Sequence, residues 1–592
     1  MPGPHASPRR RPVPGRLFAA ALIALALAAA LVLAFAGMTD RAHAAEPSDT
    51  DGGAMIAAAD PRAVEAGLAI LRAGGTAADA AVAVQAVLTL VEPQSSGLGG
   101  GAFAVHYDAG SGTVTTYDGR ETAPMAADAS LFLEDDGRPM AFLEAVTGGR
   151  SVGTPGTVRL LERLHADHGV RPWESLFADA AALARDGFRV SPRLAGYLAS
   201  PVGNRLRADP AASAVFFADG DPPAAGDRLA NPALAETFSR LAEDGPDAFY
   251  EGPIADAVVA AVRDHPTNLG LMTAEDLAAY RAMERAPVCV PYRARRVCGM
   301  GPPSSGGIAI GQILTLLAHE GRIVQGPDSA MAREALINAM MLAYADRSAW
   351  LGDADIVEVP VDGLLDPRYL ARRHGLIATG GAIDAPAPAG LPPGAPRHAA
   401  PAESEDRAGT SHISIRDAAG NMLSMTGSIE GPFGAGIMAA GFMLNNELTD
   451  FDFLPLVNGR LVPNRVGPGK RPLSSMSPTL VLDADGRAIM AVGSPGGRAI
   501  IGYTAQTLVA LLDWDLPPAA AVAVPHVLNL NGPTYVEVGA DGDRIAESLA
   551  ARGHRIERTD RLVSGLNILV VTPDGAVTGA ADPRREGVAR AP

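Results

Sequence analysis

Thr410 stands where a polar, turn-prone loop gives way to an alternating strand pattern, in the stretch DRAGTSHISI at residues 406–415. A threonine hydroxyl is a poor nucleophile unless a base adjoins it. One solution makes the threonine the first residue of its chain, so that its own α-amino group, with a pKa of about 7.7–8.0, takes the proton. Cleavage of the Gly409–Thr410 bond would create that terminus, and a side-chainless Gly409 would give the hydroxyl access to the carbonyl it must attack. Residues 378–409, rich in Ala, Pro and Gly, would supply slack for the new ends to separate. His412 lies close enough to suggest a base, but the amine already fills that role, and His412 reads as a structural, hydrogen-bonded histidine.

The elements around Thr410 follow from periodicity. Side chains alternate along a strand, so Thr410, His412 and Ser414 share one face while Ser411, Ile413 and Ile415 share the other. The turn DAAGN at residues 417–421 returns the chain into MLSMTGS, and a turn symmetric about Ala419 sets Ser428 opposite Thr410. A slip of one residue would undo that pairing. Further strands are predicted in PTLVLDADG, AIMAVGS and LNILVVTPDGAV. Upstream, residues 54–92 are rich in Ala, Leu and Val at helical spacing, with Gly74-Gly75 as a stop between two helices. A hairpin is predicted around the Gly-rich turn of GAFAVHYDAGSGTVTTYDGRETAP, and helices from about Pro155 to Tyr280. The tract at 378–409 predicts no packed element and reads as a flexible tail or tether.

Composition narrows the function classes. The 592 residues carry a formal charge of −17 with 47% hydrophobic side chains, which suits a large globular protein and argues against nucleic acid, whose phosphates require clustered cations. Lys470 is the single lysine. GLGGGA at 97–102 fits a dinucleotide-binding spacing but follows a helical pattern and precedes a strand, the reverse of what such a turn needs. His165 and His168 lack a partner carboxylate at metalloprotease spacing, so neither a metal nor a cofactor is expected. Four arginines precede an uncharged run from Leu17 to Met38 and then Ala42-His43-Ala44, an export signal ending near residue 44. The run is long enough to span a bilayer, so an uncleaved membrane anchor stays open. Either way the destination is periplasmic or extracellular, where a Cys289–Cys298 disulfide is plausible.

Several longer motifs carry a resemblance. TSHISI, EGPFGAGI, LNNELTDF, GPGKRPLSSMSPT and GSPGG, with VEPQSSGLGGGAF and DGRETAP upstream, are similar to the gamma-glutamyltransferase family, in family order from about residue 52 to about 585. The resemblance implies an α+β fold of the N-terminal-nucleophile hydrolase type, a four-layer αββα sandwich. It also implies one precursor that cuts itself into associated large and small subunits, here 45–409 and 410–592. Thr410 matches the family nucleophile, and Gly496 and Gly497 match the glycines whose N–H groups form the oxyanion hole. Arg120 matches the clamp for a substrate α-carboxylate, with Ser474 and Ser475 completing that pocket. Glu447 and Asp450 match acceptors of the substrate α-ammonium. The implied partner is a small-molecule γ-glutamyl compound, with water or an amine as acceptor.

Three departures bear on specificity. Ser428 stands where typical transpeptidases have Thr, and keeps the hydroxyl. Glu430 stands where they have Asn, so Glu430, Glu447 and Asp450 would surround one ammonium. The interval from Asp452 to Lys470 is shorter than the usual lid-bearing loop, which predicts a site more open to water. A glutaryl or cephalosporin-acylase-like amidase is the alternative chemistry, and an exported binding protein without turnover is the alternative of another class.

Overall fold

The computed structural model describes residues 53–377, 380–396 and 409–592, together with Gly3. The expected export segment, the possible anchor and residues 378–379 and 397–408 of the tract ending at Gly409 lie outside the described residues. Among the described residues no helix is long and apolar enough to cross a membrane.

In chain order, the elements that build the site begin with β1 (Met55–Ala58), α1 (Pro61–Arg72), α2 (Ala77–Val91), β2 (Gly101–Asp108), β3 (Thr113–Gly119) and α3 (Thr157–His168). They continue with β4 (Met283–Arg285), β5 (Val288–Tyr292), β6 (Arg295–Gly299), α4 (Gly306–Ala318), α5 (Ala330–Trp350), β7 (Gly409–Arg416) and β8 (Met422–Glu430). The remainder are β9 (Thr479–Leu482), β10 (Ala488–Val492), α6 (Ile500–Leu512), β11 (Asn567–Val571), β12 (Val577–Ala581) and β13 (Val588–Arg590). The predicted αα unit begins later than its composition suggests. Met55–Ala58 is a strand, and Asp60, whose side chain accepts from the Arg62 N–H, caps the helix that follows. Thr76 and Asp79 form a capping box on the second helix, and Gly74, at φ 81°, makes the left-handed turn between the two.

The strands form two large antiparallel sheets. One has the order β13-β1-β7-β8-β2-β3-β4, the other β12-β11-β10-β9-β6-β5. Helices α1, α2 and α3 cover the outer face of the first sheet through Ile56, Ala58, Ala104, Ile413, Ile415, Leu423 and Met425. Helices α4, α5 and α6 cover the second through Val481, Val492 and Ile568. Between the sheets lie Met55, Val105, Met422, Leu480, Leu482 and Leu569. The result is the expected αββα sandwich. Its alternation is legible strand by strand, since burying both faces of a sheet forces successive side chains into different layers.

Two connections fix local geometry. Cys289 and Cys298 are directly paired across β5 and β6 and joined by a disulfide. Residues 380–396 form neither helix nor strand, in keeping with their composition. They are nevertheless fastened to the body: Ala387 N–H donates to Asn531 Oδ1 at 2.7 Å, Gly390 N–H to Asp346 Oδ1 at 2.8 Å, and Trp350 Nε1 to Gly390 O at 3.0 Å.

Candidate active site

Strand β7 lies between β1 and β8 in the interior of its sheet, and its register on β8 pairs Thr410 with Ser428, the partner required by a symmetric turn. Both side chains are buried. Ser428 Oγ lies 3.2 Å from Thr410 Oγ1, donates to Gly409 O at 3.0 Å, and accepts the Glu430 N–H at 2.8 Å. A hydroxyl has one proton to give. With that proton on Gly409 O, Thr410 must donate to Ser428, which leaves a proton path from the Thr410 hydroxyl to the carbonyl preceding it. Gly409 cannot carry a side chain: a Cβ there would meet Glu430 O at 2.5 Å and Gly431 C at 2.6 Å. The β8 pairing shifts between Ser428 and Glu430, and Glu430 takes φ 69°, a left-handed conformation unusual for a glutamate and of the kind concentrated at functional sites.

Farther along β7, His412 Nδ1 lies 2.8 Å from Thr426 Oγ1 and Nε2 3.2 Å from Ser414 Oγ. Burial pushes its pKa down to about 3, so the ring is neutral. Ser414 Oγ donates to Asn567 O at 2.8 Å, Asn567 Nδ2 to His412 O at 3.0 Å, and Ser424 Oγ to Val492 O at 3.1 Å. These bonds stitch the sheet bearing Thr410 to β10 and β11. His412 is therefore a structural tie.

One cavity gathers the sequence-selected residues. Thr410, Ser428, Glu430, Glu447, Asp450, Ser474, Ser475 and Gly497 line it, with Met476 and Ile500. Gly496 and Gly497 adopt φ 138° and 57° immediately before α6, whose amino-terminal end, with its partial positive charge, borders the cavity. A Cβ on Gly496 would meet the Tyr503 ring at 2.4 Å. Ser475 Oγ accepts from Arg347 Nη2 at 2.8 Å, and Arg347 Nε donates to Ser305 Oγ at 2.9 Å. Ser474 is pinned through its N–H to Pro303 O at 2.9 Å.

Arg120 and Gly496 do not line this cavity. Arg120 is fully buried behind it, with Nη1 on Glu447 and Nη2 on Asp450, and Nε donating to Pro472 O at 3.1 Å. Burial works against its charge, but Glu447 and Asp450 more than compensate and hold the guanidinium firmly protonated. Burial raises Glu447 to about 7 against the pull of Arg120, and raises Asp450 as well. Burial and the neighbouring Glu447 hold Glu121, next to Arg120, well above the usual carboxylate range. Glu430 accepts from Asn446 Nδ2, and Asn446 Oδ1 accepts the Gly431 N–H at 2.9 Å. The cavity thus has an acidic wall of Glu430, Glu447 and Asp450 and a hydroxyl wall of Ser474 and Ser475.

Sequence reasoning missed three contributors. Arg347 left a trace, as a lone arginine in the apolar stretch LINAMMLAYADRSAW. Asn446 belongs to a motif already noted, without its role as the holder of Glu430. Arg585, whose Nη1 donates to Thr410 O at 3.0 Å, lies in DPRRE near the carboxyl terminus and left no such signal. Among the described residues no cluster of three or more His, Cys, Asp or Glu is arranged for a metal. His165 instead bonds Arg171 O at 2.9 Å and His168 the Tyr117 hydroxyl at 2.8 Å.

Comparison with known proteins agrees with this geometry. The gamma-glutamyltranspeptidase family model matches residues 63–591. A glutathione hydrolase proenzyme of Escherichia coli (strain K12) is 39% identical, over 90% of this chain and 90% of its own. An acylase ACY 1 proenzyme of Pseudomonas sp. (strain SE83) is 34% identical, over 90% of this chain and 92% of its own. The crystal structure of cephalosporin acylase from Bacillus halodurans superposes with a TM-score of 0.79 at 26% identity, covering 92% of this chain and 96% of that one. The chain belongs to the gamma-glutamyltranspeptidase family, with the N-terminal-nucleophile hydrolase fold.

Proposed function

We propose that the protein is a self-cleaving γ-glutamyl hydrolase and transpeptidase acting on glutathione-like compounds. The observation that carries this reading is the cavity holding Thr410, Ser428, an acidic wall and a hydroxyl wall together. In the precursor, Thr410 Oγ attacks the Gly409 carbonyl carbon while its proton passes through Ser428. The peptide nitrogen takes a proton and leaves, and water hydrolyses the resulting ester, giving pieces 45–409 and 410–592. The sheet order explains why they stay together: β1 of the large piece lies between β13 and β7 of the small one, and β8 pairs with β2.

In the mature enzyme the freed amine takes the Thr410 hydroxyl proton as Oγ attacks the γ-glutamyl carbonyl. The oxyanion is met by the N–H of Gly497 and by the end of α6, with Gly496 shaping the turn that presents them. The amine then gives its proton to the leaving nitrogen as the C–N bond breaks. Water, an amino acid or a peptide takes the acyl group in the second half. The substrate α-carboxylate is bound at Ser474 and Ser475, with the Arg347 guanidinium on Ser475 Oγ behind them. Its α-ammonium is bound by Glu430, Glu447 and Asp450. The chain is exported, with residues 1–44 removed.

A glutaryl amide lacks the ammonium and would leave the acidic wall without a counter-charge. Release of aniline from γ-glutamyl and glutaryl anilides, by wild type and Thr410→Ala, tests both readings. Steady turnover of the γ-glutamyl compound by wild type alone is expected; preference for the glutaryl compound would favour the acylase, and no turnover a binding protein. The short interval 452–470 makes hydrolysis compete strongly with transfer, so a large stimulation by glycylglycine would contradict this part.

A further inference from the structure

Arg585 is the guanidinium set directly on the nucleophile residue. Its Nη1 donates to Thr410 O at 3.0 Å and its Nε to Ser564 O at 3.0 Å. The segment carrying it is built in: Arg584 pairs with Asp582 at 3.1 Å and Glu537 at 2.6 Å, and the Gly565 N–H donates to Ser494 Oγ, in the loop before Gly496, at 3.1 Å. A residue's own nitrogen lies about 3 Å from its carbonyl oxygen, so the charge sits within about 6 Å of the Thr410 nitrogen.

We propose that Arg585 is a positioning residue for the reaction. It keeps the freed Thr410 amine unprotonated at neutral pH by holding a positive charge against that residue's carbonyl. The inference rests on cleavage at Gly409–Thr410 and says how the resulting base is tuned. A cation so close disfavours a second cation, so the amine falls below its ordinary value of about 7.7–8.0.

Most other charges around Thr410 are paired with one another, and Arg585 is the cation in direct contact with the nucleophile residue. From the acidic wall, Glu447 and Asp450 are paired with Arg120, whereas Glu430, which accepts from the uncharged Asn446 amide, is the carboxylate that opposes Arg585. From the opposite side, Glu92 is committed to Arg193 at 2.9 Å, and Glu586 accepts the Arg193 N–H at 2.8 Å. Asp582 and Glu537 are taken by Arg584. His412 on the same strand is neutral. Burial, with Arg193 nearby, pushes Arg585 itself down only to about 10, so it stays charged at neutral pH. The carbonyls that accept its protons allow a half-buried guanidinium to persist there.

The test is the pH dependence of cyanate carbamylation at the Thr410 amine of the cut protein, read by mass spectrometry, alongside the acid limb of kcat. Isocyanic acid reacts with the free base, so the rate, corrected for the fraction of isocyanic acid at each pH, titrates the amine without requiring turnover. Wild type is expected to titrate below about 7.7, and Arg585→Gln to titrate roughly one pH unit higher. The kcat limb moves with it, roughly a tenfold loss at low pH that is recovered at high pH. Arg585→Lys restores the wild-type titration. An Arg585→Gln amine that titrates like wild type, or a wild-type amine at or above about 8, overturns the proposal. If Arg585→Gln remains uncut, the wild-type value decides. An active but uncut wild-type chain would instead sink the proposed function.

Discussion

The two faces of β7 and β8 are built on different physics. Their outer face places Ile413, Ile415, Leu423 and Met425 against Ala-rich helices, a core that needs volume and patterning but little angular precision. Their inner face places Thr410, His412, Ser414, Ser424, Thr426 and Ser428 between two sheets, where each polar group must find a partner at a defined distance. The same strands therefore carry a tolerant surface and a demanding one. The contrast implies that outer-face changes cost stability, whereas inner-face changes cost chemistry.

Thr410→Ala sets the largest expected effect: an uncut precursor, with turnover reduced by about 10⁴-fold or more, checked by gel and anilide assay. Gly497→Ala keeps the N–H but strains the left-handed φ of 57°, and displacing that donor should reduce kcat by up to about 10²–10³-fold, with the protein still cut and folded. Ser428→Ala removes the donor to Gly409 O, and cleavage should slow by about tenfold to a hundredfold in a time course of precursor loss. pH sharpens the acidic wall. As pH falls through about 7, Glu447 takes a proton and the substrate ammonium loses an acceptor, so KM rises toward acid; Glu447→Gln should raise KM and flatten that dependence. On the outer face, Ile413→Ala should lower unfolding free energy by about 2–5 kcal/mol while kcat of the folded fraction changes little. A large kcat defect in Ile413→Ala would break the comparison.

The strand faces, the Thr410–Ser428 pairing and the αα unit were legible because period and turn symmetry are local properties. The sequence also marked most of the cavity residues, through motifs scattered from Thr410 to Gly497 that meet in space. What it hid was depth. Arg120 reads as a cavity residue but lies behind Glu447 and Asp450, because a fully buried guanidinium must spend its donors on nearby carboxylates and carbonyls. Met55–Ala58 reads as helical since its Ala and Met suit either state, and the strand is decided by pairing with β7 and β13. Arg585 lies 175 positions from Thr410, a contact that only the folded topology supplies.

The central claim is that a threonine becomes an enzyme's nucleophile and base by losing its amino-terminal neighbour. Intact mass combined with amino-terminal sequencing of active protein tests this most directly. Two fragments are expected, the smaller beginning Thr410-Ser411-His412. A single continuous polypeptide that turns over γ-glutamyl anilide at the full rate would contradict the account.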